Sequence, residues 1–324
     1  MEQPREATAR TAGVTFLGVQ SMKPEILEAI KRSGAVPSMP QVVTRFLEII
    51  QQPEFNYEEL TAVLSTDPGT AVDILRLSNS ALFGVSRKIT SLKQAATLLG
   101  PRRVRSLVLG RYMVETVGQN DIGELDSSYY WRRSLTCAVL AARFADVLAP
   151  RLREEAFISA LLADVGITIL AQEMTDDYAP VLKLYKPHGQ TDLVEAEMDA
   201  LGVTHAEMSA VVLEFWELPE LICQAVANHQ SDVAANTEAI QLARIINASD
   251  RIAKLLCESP ELEHLADECN AAVAFVDLDL CVLLEMIEKV EADVTELAEM
   301  LKLDVIASNV YSLIAKAIKE HVSV

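Results

Sequence analysis

Apolar residues in this chain recur at intervals of three and four, and alternation at intervals of two is nearly absent. That spacing puts apolar side chains on one face of a helix, so the chain is predicted to be all-α. The first clear stripe is Met39, Val42, Val43, Phe46, Leu47 and Ile50. Helix-start signals punctuate the rest. Asn56 with Glu59, Ser91 with Gln94 and Thr204 with Glu207 have the spacing of capping boxes. Asp67-Pro68 offers an N-cap followed by a residue suited to the first helical position. Gly100 fits a left-handed stop.

These signals divide the chain. Residues 1–35 read as a tail with a short helix over Met22 to Lys31, and residues 36–118 as a bundle of short helices. Gly118 to Ser128 is a polar linker. A second bundle is predicted over 128–256, with helices at Tyr129–Leu148, Glu154–Gln172, Thr204–Trp216, Pro219–His229 and Thr237–Leu256. Residues 260–324 read as an acidic helical extension.

Composition narrows the function classes. A net charge of −19 repels phosphate backbones, which disfavours bulk nucleic-acid binding. With 50% apolar residues and few glycines and prolines, the chain can bury a large core. It lacks a run long and apolar enough for a transmembrane helix, and Met1 to Gln20 does not resemble a signal peptide. Cys137, Cys223, Cys257, Cys269 and Cys281 include no CxxC pair and are odd in number. They read as small core residues in a reducing cytoplasm.

Specific motifs then appear in order. The first half carries Asp67-Pro68, Leu77-Ser78-Asn79-Ser80, Phe83-Gly84, Ile89 with Ser91, and Leu99-Gly100. The second half carries Trp131-Arg132-Arg133-Ser134, Leu161-Leu162-Ala163-Asp164-Val165-Gly166, Gly202-Val203-Thr204-His205-Ala206-Glu207, Trp216-Glu217-Leu218-Pro219 and Asn228-His229. Together they resemble the bacterial HDOD family over roughly residues 36–255. The resemblance implies an HDOD fold, in which a short-helix N-terminal bundle packs on an HD-like helical bundle.

The related HD phosphohydrolases use His and Asp side chains to hold divalent metals that activate water. The resemblance places their ligand positions at Arg133, Ala163, Asp164, His205, His229 and Asp250. Two of these have lost their ligand. Arg133 brings a cation where a metal needs lone pairs, and Ala163 offers only a methyl group. No catalytic residue, metal or other cofactor is therefore expected. If a metal were held, Asp164, His205, His229 and Asp250 would hold it. Each remnant also has a plain structural reading. Asp164 would be satisfied by Arg133 or as a cap, and His205 would lie partly exposed beside a cap. His229 would end a helix, and Asp250 would pair with Arg251.

Two charged segments stand out. Arg87, Lys88, Lys93, Arg102, Arg103, Arg105 and Arg111 fall in a stretch without acidic residues. They read either as a solvated face or as a patch for an acidic partner or small anionic ligand. In the acidic extension, Leu280, Leu283, Ile287, Val290, Val294, Leu297 and Leu301 share one helix face. This face suits either the chain's own core or a dimer, and the acidic helices could themselves partner the basic segment. Similar proteins often carry a further signalling module, and none is expected before Val324.

The leading expectation is a non-catalytic, cytoplasmic signalling or scaffold protein acting through protein partners, as a homodimer or otherwise. The alternative is a metal-dependent phosphohydrolase with a reduced site, acting on nucleotides or phosphate esters. A third reading is a sensor that binds a small molecule in the old cavity without turnover.

Overall fold

The computed structural model describes residues 36, 38–52, 54–80, 84–118, 125–185, 193–231, 235–258, 264–303 and 310–322. The predicted helix at Met22 to Lys31 lies outside them. Among the described residues there is no strand, and no helix is long and apolar enough to cross a membrane.

The N-terminal bundle comprises α1 (Gln41–Ile50), α2 (Tyr57–Ser65), α3 (Pro68–Ser78), α4 (Leu92–Leu99) and α5 (Pro101–Gly118). The starts follow the sequence signals, except that Glu59 turns to Arg45 at 3.2 Å and does not close a box with Asn56. Asn56 Oδ1 accepts from Glu58 N at 2.8 Å, and Asp67 Oδ1 from Gly69 N at 3.0 Å. Ser91 caps Gln94 N, but Gln94 turns its own side chain to Thr90 N at 2.9 Å, so this box is not reciprocal. Gly100 has φ 81°, the left-handed conformation that a side chain would strain. Phe46, Ile49, Leu60, Leu64 and Ile74 are buried in this bundle, each burial contributing roughly 1.5–3 kcal/mol. Val72 points outward instead, 48% exposed. The Asn79 motif is a clamp on the following loop. Its side chain donates to Leu75 O and Ile89 O and accepts from Ile89 N at 2.8 Å.

The second bundle runs α6 (Ser127–Leu148), α7 (Arg153–Leu162), α8 (Val165–Glu173), α9 (Thr175–Leu182), α10 (Leu193–Leu201), α11 (His205–Phe215), α12 (Glu220–Ala227) and α13 (Glu238–Cys257). The single helix expected over Glu154–Gln172 is two, broken at Ala163 and Asp164. Close packing at Gly166 accounts for the break. Its N–H donates to Ser209 Oγ at 2.7 Å, and a Cβ there would lie 2.2 Å from His205 O. Helix α8 therefore leaves the line of α7 to seat against α11. The Thr204–Glu207 box is complete, with bonds of 3.2 and 2.9 Å.

The extension comprises α14 (Leu265–Ala274), α15 (Leu280–Leu301) and α16 (Val310–Val322). Its apolar stripe belongs to the molecule's own core. Leu280, Leu283, Ile287, Val290, Val294 and Leu297 are buried, with α15 packed against α6 and α16. Among the described residues the basic segment pairs with other helices, not with these acidic ones as the sequence suggested. Arg103 pairs with Glu154 at 2.7 Å, Arg105 with Glu155 at 3.1 Å, Lys93 with Glu58 at 2.9 Å and Arg111 with Asp73 at 2.9 Å. These carboxylates lie on α2, α3 and α7, which fold back on the basic segment. Arg87, Lys88 and Arg102 remain exposed. Four of the five cysteines are buried, and Cys281 is exposed.

Candidate functional site: a buried histidine–carboxylate cluster

The break between α7 and α8 leaves Asp164 as the residue before α8, with no capping bond from its side chain. Its carboxylate is thus free to turn inward. Thr204 places His205 at the first position of α11, and the chain beyond α12 brings in His229, whose carbonyl accepts from Asn247 Nδ2 at 2.8 Å. These three side chains are buried and converge. Asp164 Oδ1 lies 3.6 Å from His205 Nε2 and 3.7 Å from His229 Nε2, and the two rings meet edge to face at 5.6 Å.

Both ring orientations are fixed from behind. His229 Nδ1 donates to Val226 O at 2.7 Å, which turns its Nε2 toward Asp164. That buried Nε2 has no hydrogen-bond partner. His205 Nδ1 and its backbone N–H both donate to Glu197 Oε2, at 2.7 and 2.8 Å. Glu197, on α10, is fully buried and also accepts from Tyr178 OH at 2.6 Å. Burial opposes a charge on His205, yet Glu197 and Asp164 raise its pKa to about 9. Burial likewise opposes ionisation of Asp164. The imidazole of His229 and the charges of Arg133 and His205 more than offset this and hold the carboxyl below its usual range.

The remaining positions are arranged differently. Arg133, on α6, donates to Asp250 through Nε at 2.9 Å and Nη2 at 2.7 Å. The guanidinium also lies 5.0 Å from the Tyr185 ring centroid, and Tyr185 OH donates to Asp164 Oδ2 at 3.3 Å. Asp250 therefore pairs with Arg133, not with its neighbour Arg251. His205 is buried, not half-exposed. Asp164 finds its partners in Tyr185 and the histidines, with Arg133 acting on it through charge. Ala163 ends α7 buried and without a donor atom. The sequence singled out neither Glu197, Tyr178 nor Tyr185.

As a donor set, Asp164, His205 and His229 fit one divalent ion, since each histidine turns the same nitrogen to a shared carboxylate and rests its other nitrogen on an acceptor. They do not fit a two-metal centre. Asp250 is engaged by a guanidinium, and position 163 has no ligand atom.

A family model described as the HDOD domain matches residues 36–232. A protein of Treponema pallidum (strain Nichols), described as uncharacterized, is 24% identical over 207 residues, which is 60% of this chain and 38% of that protein. This chain therefore spans well under half the length of that relative. The fold resembles a crystal structure from Shewanella amazonensis SB2B that carries a provisional phosphohydrolase name. The TM-score is 0.68 at 20% identity, covering 84% of this chain and 98% of that one. It also resembles a structure from Marinobacter aquaeolei VT8 with a provisional signal-transduction name. There the TM-score is 0.59 at 18% identity, covering 95% and 68%. At these identities the structures show a shared fold.

Proposed function

The chain belongs to the HDOD family, and from that premise we propose that it is a non-catalytic binding module of bacterial signal transduction, acting in the cytoplasm through contacts with protein partners. One observation carries this reading: the Arg133 guanidinium grips Asp250 with two hydrogen bonds at the edge of the histidine cluster. A guanidinium has donors and no lone pair, so it cannot ligate, and its fixed charge opposes a nearby cation. With Ala163 offering no donor atom, two ligand positions of the two-metal arrangement that polarises a phosphoryl group and its attacking water are missing.

The proton on His205 supports the same reading. Its ring lies between Glu197 and Asp164, which favours the imidazolium at neutral pH. Arg133 and His205 offset part of the negative charge that Asp164, Glu197 and Asp250 bring into the cluster. The cluster then acts as a buried scaffold that fixes α6, α8, α10, α11 and α13 relative to one another, while outer surfaces meet the partner.

The unpartnered His229 Nε2 favours a second reading, a phosphohydrolase with a reduced site. Asp164, His205 and His229 would hold one ion, with Glu197 orienting His205, and the ion would supply Lewis-acid activation of water. Elemental analysis of protein purified without a metal-binding tag separates the two. The first reading expects less than roughly a tenth of an equivalent of transition metal, against the full equivalent of a closed protein site. One equivalent, lost in His205→Ala, would favour the second.

A further inference from the structure

Helix α11 opens on His205 and closes on the Trp216-Glu217-Leu218-Pro219 motif, roughly 16 Å farther along its axis, and that motif supplies no side chain to the histidine cluster. Its backbone makes a complete helix stop. Glu217 N–H donates to Glu214 O at 2.9 Å and Leu218 N–H to Leu213 O at 3.0 Å, the paired bonds that close a helix where the chain turns through the left-handed region. Glu217 takes that turn with φ 54°. Glycine fills such a position with least strain, because a Cβ crowds the following carbonyl. The helix stop therefore gives no reason for a glutamate. Gln51 bonds its backbone carbonyl at 3.4 Å, while its carboxylate makes no hydrogen bond or ion pair among the described residues.

A cleft of about 230 Å³ opens beside this turn, where α1 of the first bundle meets the end of α11. Met39, Leu47, Phe215 and Trp216 give it apolar walls. These walls are held from behind. Trp216 is buried and meets Tyr112 of α5 edge to face at 5.7 Å, and Tyr112 OH donates to Ser38 O at 3.2 Å. A site fixed in this way loses little freedom when it is filled. Phe215, a large aromatic, is nevertheless 51% exposed. The volume falls below the roughly 300–1,000 Å³ of pockets that enclose a small-molecule ligand, so the cleft suits one large side chain of a partner. The charged groups lining it are both carboxylates, Glu48 and Glu217. Glu48 is already held by Arg45 at 2.8 Å, which leaves Glu217 for an incoming cation. The net charge of −19 draws basic segments and repels acidic ones at long range.

We propose that this cleft is a docking site for a partner-protein segment that carries a bulky apolar side chain next to a lysine or arginine. The apolar side chain fills the cleft against Phe215 and Trp216, and the cation pairs with Glu217. The site gives the partner contacts proposed above a definite surface and rests on that reading. Peptide binding judges the cleft, whereas metal content and turnover judge the non-hydrolytic reading, so either can fail alone.

The test selects binders to the full chain from a phage library of random peptides, then titrates the synthesised peptides by calorimetry. Their common feature should be a bulky apolar residue with a lysine or arginine nearby. Phe215→Ala removes a half-exposed side chain, so the fold should hold while binding weakens at least about tenfold. Glu217→Gly relieves the left-handed turn, so the thermal midpoint should stay or rise while binding weakens about twofold to fivefold. That loss should vanish when the peptide's own cation is replaced by glutamine. A lower midpoint in Glu217→Gly would show that the glutamate serves the helix stop, and would overturn its assignment. No selected peptide, an acidic consensus, or binding indifferent to both substitutions overturns the docking site. So does dimerisation of the chain that Phe215→Ala abolishes, which would give the face to a second copy.

Discussion

Replacing Arg133 with methionine removes the cation from the cluster while keeping most of the side-chain volume. Arg133 and Asp250 are each only 11% exposed, so solvent screens their pairing little. Among the described residues, the carboxylate without Arg133 keeps only a long contact from Gln230 at 3.4 Å. Breaking a buried pair from one side costs about 3–5 kcal/mol, because the remaining charge stays buried and unpaired. Removing both partners is far cheaper, since no orphan ion is left. Arg133→Met is therefore expected to lose about 3–5 kcal/mol in urea denaturation followed by circular dichroism. Arg133→Met with Asp250→Leu should end within about 2 kcal/mol of the unsubstituted chain. A single substitution costing under about 1 kcal/mol, or a double costing the sum of the two singles, would refute the pairing argument.

Three further outcomes follow from the same geometry. The His205 pKa is raised to about 9 from its ordinary 6.5, so its contribution is fully present below about 6.5 and lost as pH rises through about 9. Urea stability measured across that window should fall for the unsubstituted chain and stay flatter for His205→Asn, and parallel curves would contradict this. Gly166→Ala forces a methyl group against backbone at 2.2 Å, so α8 and α11 must separate, at a cost of about 3 kcal/mol or more. A variant with an unchanged thermal midpoint would show that the contact is not tight. Arg133→His with Ala163→His supplies two imidazoles and frees Asp250. It should bind Mn²⁺ or Zn²⁺ at least about tenfold more tightly by calorimetry than the parent chain, and no gain would mean that the positions do not converge.

Helix starts and buried faces are legible in the sequence, and long-range partners are not. Thr204 and Glu207 lie three apart and make their box within one helical turn. The apolar stripe of α15 likewise declared its buried face, because helical period alone fixes which residues share a side. The break at Ala163 and Asp164 was hidden, since apolar spacing runs on through Leu161, Leu162 and Val165, and the cause is Gly166 meeting α11. Asp250 was paired by adjacency with Arg251, whereas its partner lies 117 positions away. The basic segment looked unbalanced for the same reason, as Glu154 and Glu155 lie about fifty positions on. Glu197 gave no signal at all. A glutamate in an acidic helix is ordinarily solvated, and only the packing of α9 and α11 around it turns it into the residue that holds His205.

The central claim is that this chain binds partners without hydrolysing phosphate esters, and turnover tests it most directly. Purified chain should be incubated with a chromogenic phosphodiester and excess Mn²⁺, with His205→Ala alongside. The account predicts that both proteins hydrolyse the ester no faster than buffer containing Mn²⁺. Metal-dependent turnover in the unsubstituted chain that disappears in His205→Ala would contradict it.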